Sequence, residues 1–100
     1  MPFTVTHIID GNTIQVTGWK WGEFRGSKVK IMGYSFNGKG VNYNLLAKNR
    51  LENLILNKEI ELQNVIRAEK SILLQDDIIY CSVFFNGVDI SQYFPELRPS

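Results

Sequence analysis

The chain has 100 residues, 44% hydrophobic and 21% charged, enough to bury one modest core as a single domain spanning 1–100. Eleven basic and ten acidic residues leave a formal charge of +1, so no strong overall field draws in nucleic acid or an anionic membrane, and a binding surface must be local. The single cysteine, Cys81, excludes an intramolecular disulfide. No run approaches the roughly 18 apolar residues of a membrane span, and the N-terminus lacks a basic segment leading into an apolar core, so the expectation is a cytoplasmic protein without a membrane partner.

In chain order, Phe3, Val5 and Ile9 recur on an alternating pattern with Thr4 and Thr6 between them, which predicts a strand with one buried face. Asp10-Gly11 predicts a sharp turn, because glycine reaches the positive φ that other residues resist. Thr13 to Thr17 alternates again through Ile14 and Val16. Gly18 to Gly26 holds Trp19, Lys20, Trp21, Glu23, Phe24 and Arg25 between glycines and predicts a long, aromatic-rich hairpin loop. Lys28 to Met32 is the next expected strand, followed by the glycine-rich connection Gly33 to Gly40.

One helix is expected from about Tyr43 to Leu56, with Tyr43, Ala47, Leu51, Leu54 and Ile55 as its apolar stripe, Asn42 as N-cap and Asn57 as the left-handed C-terminal residue. Lys58 to Gln63 and Ile72 to Leu74 read as strands, Gln75-Asp76-Asp77 as a solvated turn, and Ile78 to Phe85 as the strongest β-run, ended by Asn86-Gly87. Val88 to Phe94 predicts a short helix stopped by Pro95. Strands and helices do not alternate, which excludes a doubly wound parallel sheet. The order fits a mainly β fold with one main helix, a five-stranded antiparallel OB-like barrel with a short C-terminal helix.

Several chemistry-bearing signals have plain alternatives. Gly33 to Gly40 nearly matches a phosphate-binding loop, but Gly40 stands where the magnesium-ligating hydroxyl is required, so a simple strand-to-helix connection is the default. His7 has no cysteine or second histidine to complete a zinc set, and Ser82 and Cys81 have no basic partner nearby in sequence. The run Trp19-Lys20-Trp21-Gly22-Glu23-Phe24-Arg25, extended by Lys28 and Lys30, carries the aromatics interleaved with cations that single-stranded nucleic acid uses. The structural alternative is that these aromatics fold back over the barrel or form a homodimer contact, and the neutral overall charge favours it.

Four stretches together resemble the staphylococcal-nuclease-like (thermonuclease) domain, itself a five-stranded OB barrel. Ile9-Asp10-Gly11-Asn12-Thr13-Ile14 stands in place of a β-run ending in Asp-Gly-Asp-Thr. Lys28-Val29-Lys30-Ile31-Met32-Gly33 is similar to the family's third strand. Ala47, Leu51, Leu54-Ile55, Asn57-Lys58 and Ile60-Glu61-Leu62 follow the rhythm of its helix and next strand. Phe84-Phe85-Asn86-Gly87-Val88-Asp89-Ile90-Ser91 matches the end of its last barrel strand.

The resemblance implies a phosphodiesterase with carboxylate-held calcium, two arginines and a glutamate serving the attacking water. At the matching positions the chain departs from that set. Asn12 replaces a calcium-ligating aspartate, Lys30 replaces an arginine, Tyr34-Ser35-Phe36-Asn37-Gly38 offers no acid, and Ile78 falls near the second arginine. The expectation is therefore no cofactor, no metal and no catalytic residue: a pseudoenzyme that binds protein or single-stranded nucleic acid. The alternatives are a calcium-dependent nuclease that uses Asp10, Asp76 or Asp77, and a homo-oligomeric scaffold.

Overall fold

The computed structural model describes residues 2–36, 40–71 and 76–98. In chain order it places β1 (Phe3–Asp10), β2 (Thr13–Trp21), β3 (Phe24–Ile31), α1 (Val41–Ile55), β4 (Glu59–Glu69), β5 (Ile78–Phe85) and the two-residue β6 (Val88–Asp89). Two 3₁₀ turns follow, Ile90–Tyr93 and Pro95–Leu97. The sheet runs β3-β2-β1-β4-β5-β6, and a β3–β5 pairing closes it. That closing pair is parallel, whereas the other pairings are antiparallel. The result is a closed, five-strand mixed barrel with one helix between β3 and β4, consistent with an OB-like barrel. It corrects the expected antiparallel barrel: β3 and β5 meet only after the chain has passed through α1 and β4, which brings them together in the same direction.

The core draws on every barrel strand, through Val5, Ile8, Ile14, Val16, Val29, Ile31, Ile60, Ile79, Cys81 and Val83. Helix α1 closes one side with Ala47, Leu51 and Ile55, spaced four residues apart on one face, while Ile90, Phe94 and Leu97 of the 3₁₀ turns complete it. The helix begins one residue before the expected Asn42 cap, with Gly40 in extended conformation as N-cap and no side-chain cap. Tyr43 is exposed and lies off the buried stripe. The C-terminus follows expectation, since Asn57 adopts φ 66°, and its N–H bonds to the Val5 carbonyl at 2.9 Å. The expected C-terminal helix is replaced by β6 and the two 3₁₀ turns. Asp89 caps the first of these by accepting from the Ser91 N–H at 2.9 Å, and Pro95 starts the second.

Bulges correct the alternation read from the sequence. A bulge in β1 between Val5 and His7 switches the inward face, so that Ile8 is buried and Ile9 is 41% exposed. The expected long loop is absent: β2 runs to Trp21, Gly22-Glu23 forms the turn with Gly22 at φ 61°, and β3 starts at Phe24. β4 is also longer than expected, continuing to Glu69 past a bulge that holds Asn64 at φ 54°. The expected strand Ile72–Leu74 and the Asn37-Gly38 step lie outside the described residues.

Asp76 and Asp77 form a clasp rather than a solvated turn. Asp77 is buried and accepts the Arg25 N–H at 3.1 Å and the Ser71 N–H at 3.3 Å. Asp76 accepts from both the backbone N–H and the hydroxyl of Ser27. A side chain on Gly26 would collide with the Asp77 backbone and the Asp76 carboxylate, so glycine permits the approach. These bonds, with Lys70 nearby, hold the Asp77 carboxyl below its usual range despite its burial. A carboxyl lowered in the folded state contributes stability above its unfolded value near 3.8, and that contribution is lost as pH falls through the folded value. Asp77→Asn will therefore flatten the acid limb of the melting temperature against pH, measured from pH 7 downward, compared with the unsubstituted chain.

Candidate functional site

The Asp10-Gly11-Asn12-Thr13 turn is held from two sides. The Gly11 N–H donates to Asn44 Oδ1 of α1 at 2.8 Å, and the Tyr34 hydroxyl donates to the Gly11 carbonyl at 2.8 Å. Gly11 is absent from the positive-φ residues; its requirement is space. A Cβ there would stand 2.5 Å from Phe36 Cζ, 2.8 Å from the Asn44 carbonyl oxygen and 3.0 Å from Ala47 Cβ. Asp10 Oδ1 accepts the Asn12 N–H at 3.0 Å, an Asx turn, and the Asn12 carbonyl accepts the Ile31 N–H at 2.7 Å.

On one side of this turn lies a cavity of about 320 Å³ lined by Asn12, Lys30, Met32, Ser35, Arg67 and Tyr80, with further contributions from Ile31, Tyr34 and Ile66. No acidic residue is among those lining residues. The barrel closure builds its floor. Lys30 of β3 pairs with Tyr80 of β5, which pairs in turn with Arg67 of β4. Paired residues on neighbouring strands share a face, so the three form a row in which Lys30 and Arg67 stand about 10 Å apart, two strand spacings, with a phenol ring between them. The Arg67 guanidinium lies over the Tyr80 ring, 4.4 Å from its centroid. Glu69 pairs with Arg67 at 3.3 Å, and its hydrogen bond to the Tyr80 phenol is the main cause that raises the Tyr80 pKa.

The segment after β3 is an aromatic support. Tyr34 is buried, stacks on Phe94 with centroids 4.4 Å apart, and meets Phe36 edge-on at 6.1 Å. Burial, and to a smaller degree the Asp10 charge, pushes its phenol pKa upward, so it stays a neutral donor. The Ser35 N–H bonds to the Leu97 carbonyl at 3.1 Å.

Asn12, Lys30 and Ser35 of the expected positions therefore meet at one cavity, whereas Ile78 does not line it and pairs with Lys28 and Glu69. Asp76 and Asp77 sit beside Gly26 and Ser27, toward the opposite end of β3, so they do not join Asp10 and Asn12. Among the described residues, no group of three or more His, Cys, Asp or Glu side chains is placed to hold a metal ion. Nor is any helix among them long and apolar enough to cross a membrane. Arg67 and Tyr80 escaped sequence reasoning, since 13 residues separate them and only the β4–β5 register joins them.

The aromatic hairpin divides in two. Trp19 is 4% exposed, belongs to the core, and donates its indole N–H to the Lys28 carbonyl at 3.0 Å, so it leaves the expected exposed surface. Trp21 is 42% exposed and stacks on half-buried Phe24 at 6.2 Å, while Lys70 covers the Phe24 ring at 4.9 Å. Lys20 and Arg25 pair across the two strands and are exposed, with Lys28 half-buried farther along β3.

The chain matches no protein-family model, no curated protein and no solved structure. Its own residues carry the functional reading. The division of the two indoles is directly measurable: Trp21→Phe will leave a blue-shifted emission protected from acrylamide, and Trp19→Phe will leave a red-shifted, readily quenched one.

Proposed function

We propose that this chain is a catalytically inactive, nuclease-like OB domain that binds single-stranded nucleic acid at the Lys30–Tyr80–Arg67 face. The cation–aromatic–cation row over an acid-free cavity is the observation that carries this reading. Two cations can take successive backbone phosphates, Arg67 with a planar fork and Lys30 as a point charge, while the face of the Tyr80 ring that Arg67 does not cover offers a base a stacking surface worth about 1–3 kcal/mol. Trp21, stacked on Phe24 at the hairpin tip, supplies a second exposed aromatic surface.

The same cavity argues against hydrolysis. The positions that the nuclease resemblance assigns to calcium ligands hold Asn12 and Ser35, neutral groups that bring no charge to a hard divalent cation. The Ile78 position offers no guanidinium for the phosphate. A working calcium-dependent phosphodiesterase is the competing reading, and it needs acids that the cavity lining lacks.

Fluorescence anisotropy with a labelled oligonucleotide tests both. Binding will weaken as salt rises, and Lys30→Ala and Arg67→Ala will each reduce the salt slope by about one ion. Tyr80→Ala will weaken binding by about fivefold or more, with a smaller effect from Trp21→Ala. Glu69→Gln will strengthen it, because the carboxylate that competes for Arg67 is removed. An affinity that is absent or indifferent to salt would sink the proposal, as would oligonucleotide cleavage that depends on calcium and stops with a chelator.

A further inference from the structure

The other side of the Gly11 turn carries a second, larger feature. An open groove of about 560 Å³ is bordered by Ile9, Asp10, Phe36, Asn44, Leu45 and Lys48, and it shares no lining residue with the Lys30–Tyr80–Arg67 cavity. Its rim is apolar where a surface is ordinarily polar. Leu45 is 58% exposed, and the β1 bulge turns Ile9 outward on the same groove. Single exposed apolar residues are normal, but two large aliphatic side chains, Ile9 from a strand and Leu45 from a helix, facing one groove mark a contact surface.

The charges on this groove indicate the occupant. Among the described residues its lining holds one acid, Asp10, and one base, Lys48. Asp10 Oδ1 is engaged by the Asn12 N–H, and among the described residues neither side chain forms an ion pair, with the other or elsewhere. A patch with an apolar centre, one positive group and one negative group complements itself under a two-fold axis, since each residue pair then occurs twice in reciprocal form. A polyanion would instead meet Asp10 and an apolar rim.

We infer that this face joins two copies of the chain in a two-fold symmetric dimer. Leu45 and Ile9 of each copy pack at the centre, and Asp10 of each faces Lys48 of the other. A net charge of +1 leaves little repulsion to oppose the association. A standard interface of about 800 Å² per partner would use roughly an eighth of the 6196 Å² surface. The groove is preformed, because the Gly11–Asn44 bond fixes the strand end against the helix. The nucleic-acid face stays open in the dimer, so the two assignments stand or fall separately.

Sedimentation velocity from low micromolar to submillimolar concentration tests this. The unsubstituted chain will sediment as a dimer, and Leu45→Arg as a monomer with an unchanged circular dichroism spectrum, since Leu45 is exposed in the single chain. Lys48→Glu will weaken the dimer about tenfold, as will Asp10→Lys, because each replaces two attractions with two repulsions. Mixing the Lys48→Glu and Asp10→Lys chains will restore association as a heterodimer, in which both pairs are again opposite in charge. A chain that stays monomeric across the whole range overturns the inference, and so does a dimer that Leu45→Arg leaves intact.

Discussion

The structure depends on the absence of a side chain at Gly11. Two other segments converge on the β1–β2 turn there, the first half of α1 and the strand-to-helix connection, and atoms of both lie 2.5–3.0 Å from where a Gly11 Cβ would stand. The peptide groups are not left bare by this crowding, because Asn44 accepts the Gly11 N–H and Tyr34 donates to its carbonyl. One turn thereby ties the helix to the barrel and seats the aromatic cluster of Tyr34, Phe36 and Phe94. It also separates two surfaces of different chemistry, with Asp10 facing the apolar groove and Asn12 the cationic cavity.

The cationic cavity is a product of barrel closure. Lys30 and Arg67 lie on strands that never pair, and only β5, inserted between them with parallel register on one side and antiparallel on the other, brings Tyr80 into the row. Glu69 tempers this face by neutralising part of Arg67 and holding the Tyr80 phenol. The charge available to a ligand is therefore set by a local competition rather than by the chain's near-neutral total.

Bulges decide what the surface offers. The shift in β1 exchanges Ile8 for Ile9 at the core, and the irregularity in β2 between Gln15 and Trp19 sends one indole inward while the other stays half exposed. In β4, the insertion around Asn64 lets the strand carry Arg67 to the row opposite Tyr80. Each adds residues to one strand of a pair without adding to its partner, so every later side chain on that strand changes its match. The Asp76–Asp77 clasp then fixes the outer half of the β2–β3 hairpin, near its turn, where these shifts leave it.

The sequence by itself determined the order of elements, one helix after three strands, the apolar stripe through Ala47, Leu51 and Ile55, the strand from Ile78 to Phe85, and the left-handed Asn57. These follow from periodicity and local backbone preference, which act within a few residues. It also singled out Asn12, Lys30 and Ser35 through a family resemblance, but that they line one cavity is a tertiary fact. Only the tertiary structure decided the mixed sheet, the burial of Trp19, the exposure of Ile9, the use of Asp76 and Asp77 as backbone acceptors, and the placing of Arg67 and Tyr80 beside Lys30. Each depends on cross-strand register, and register is set by pairing energies between residues 10 to 50 positions apart, which no local pattern encodes.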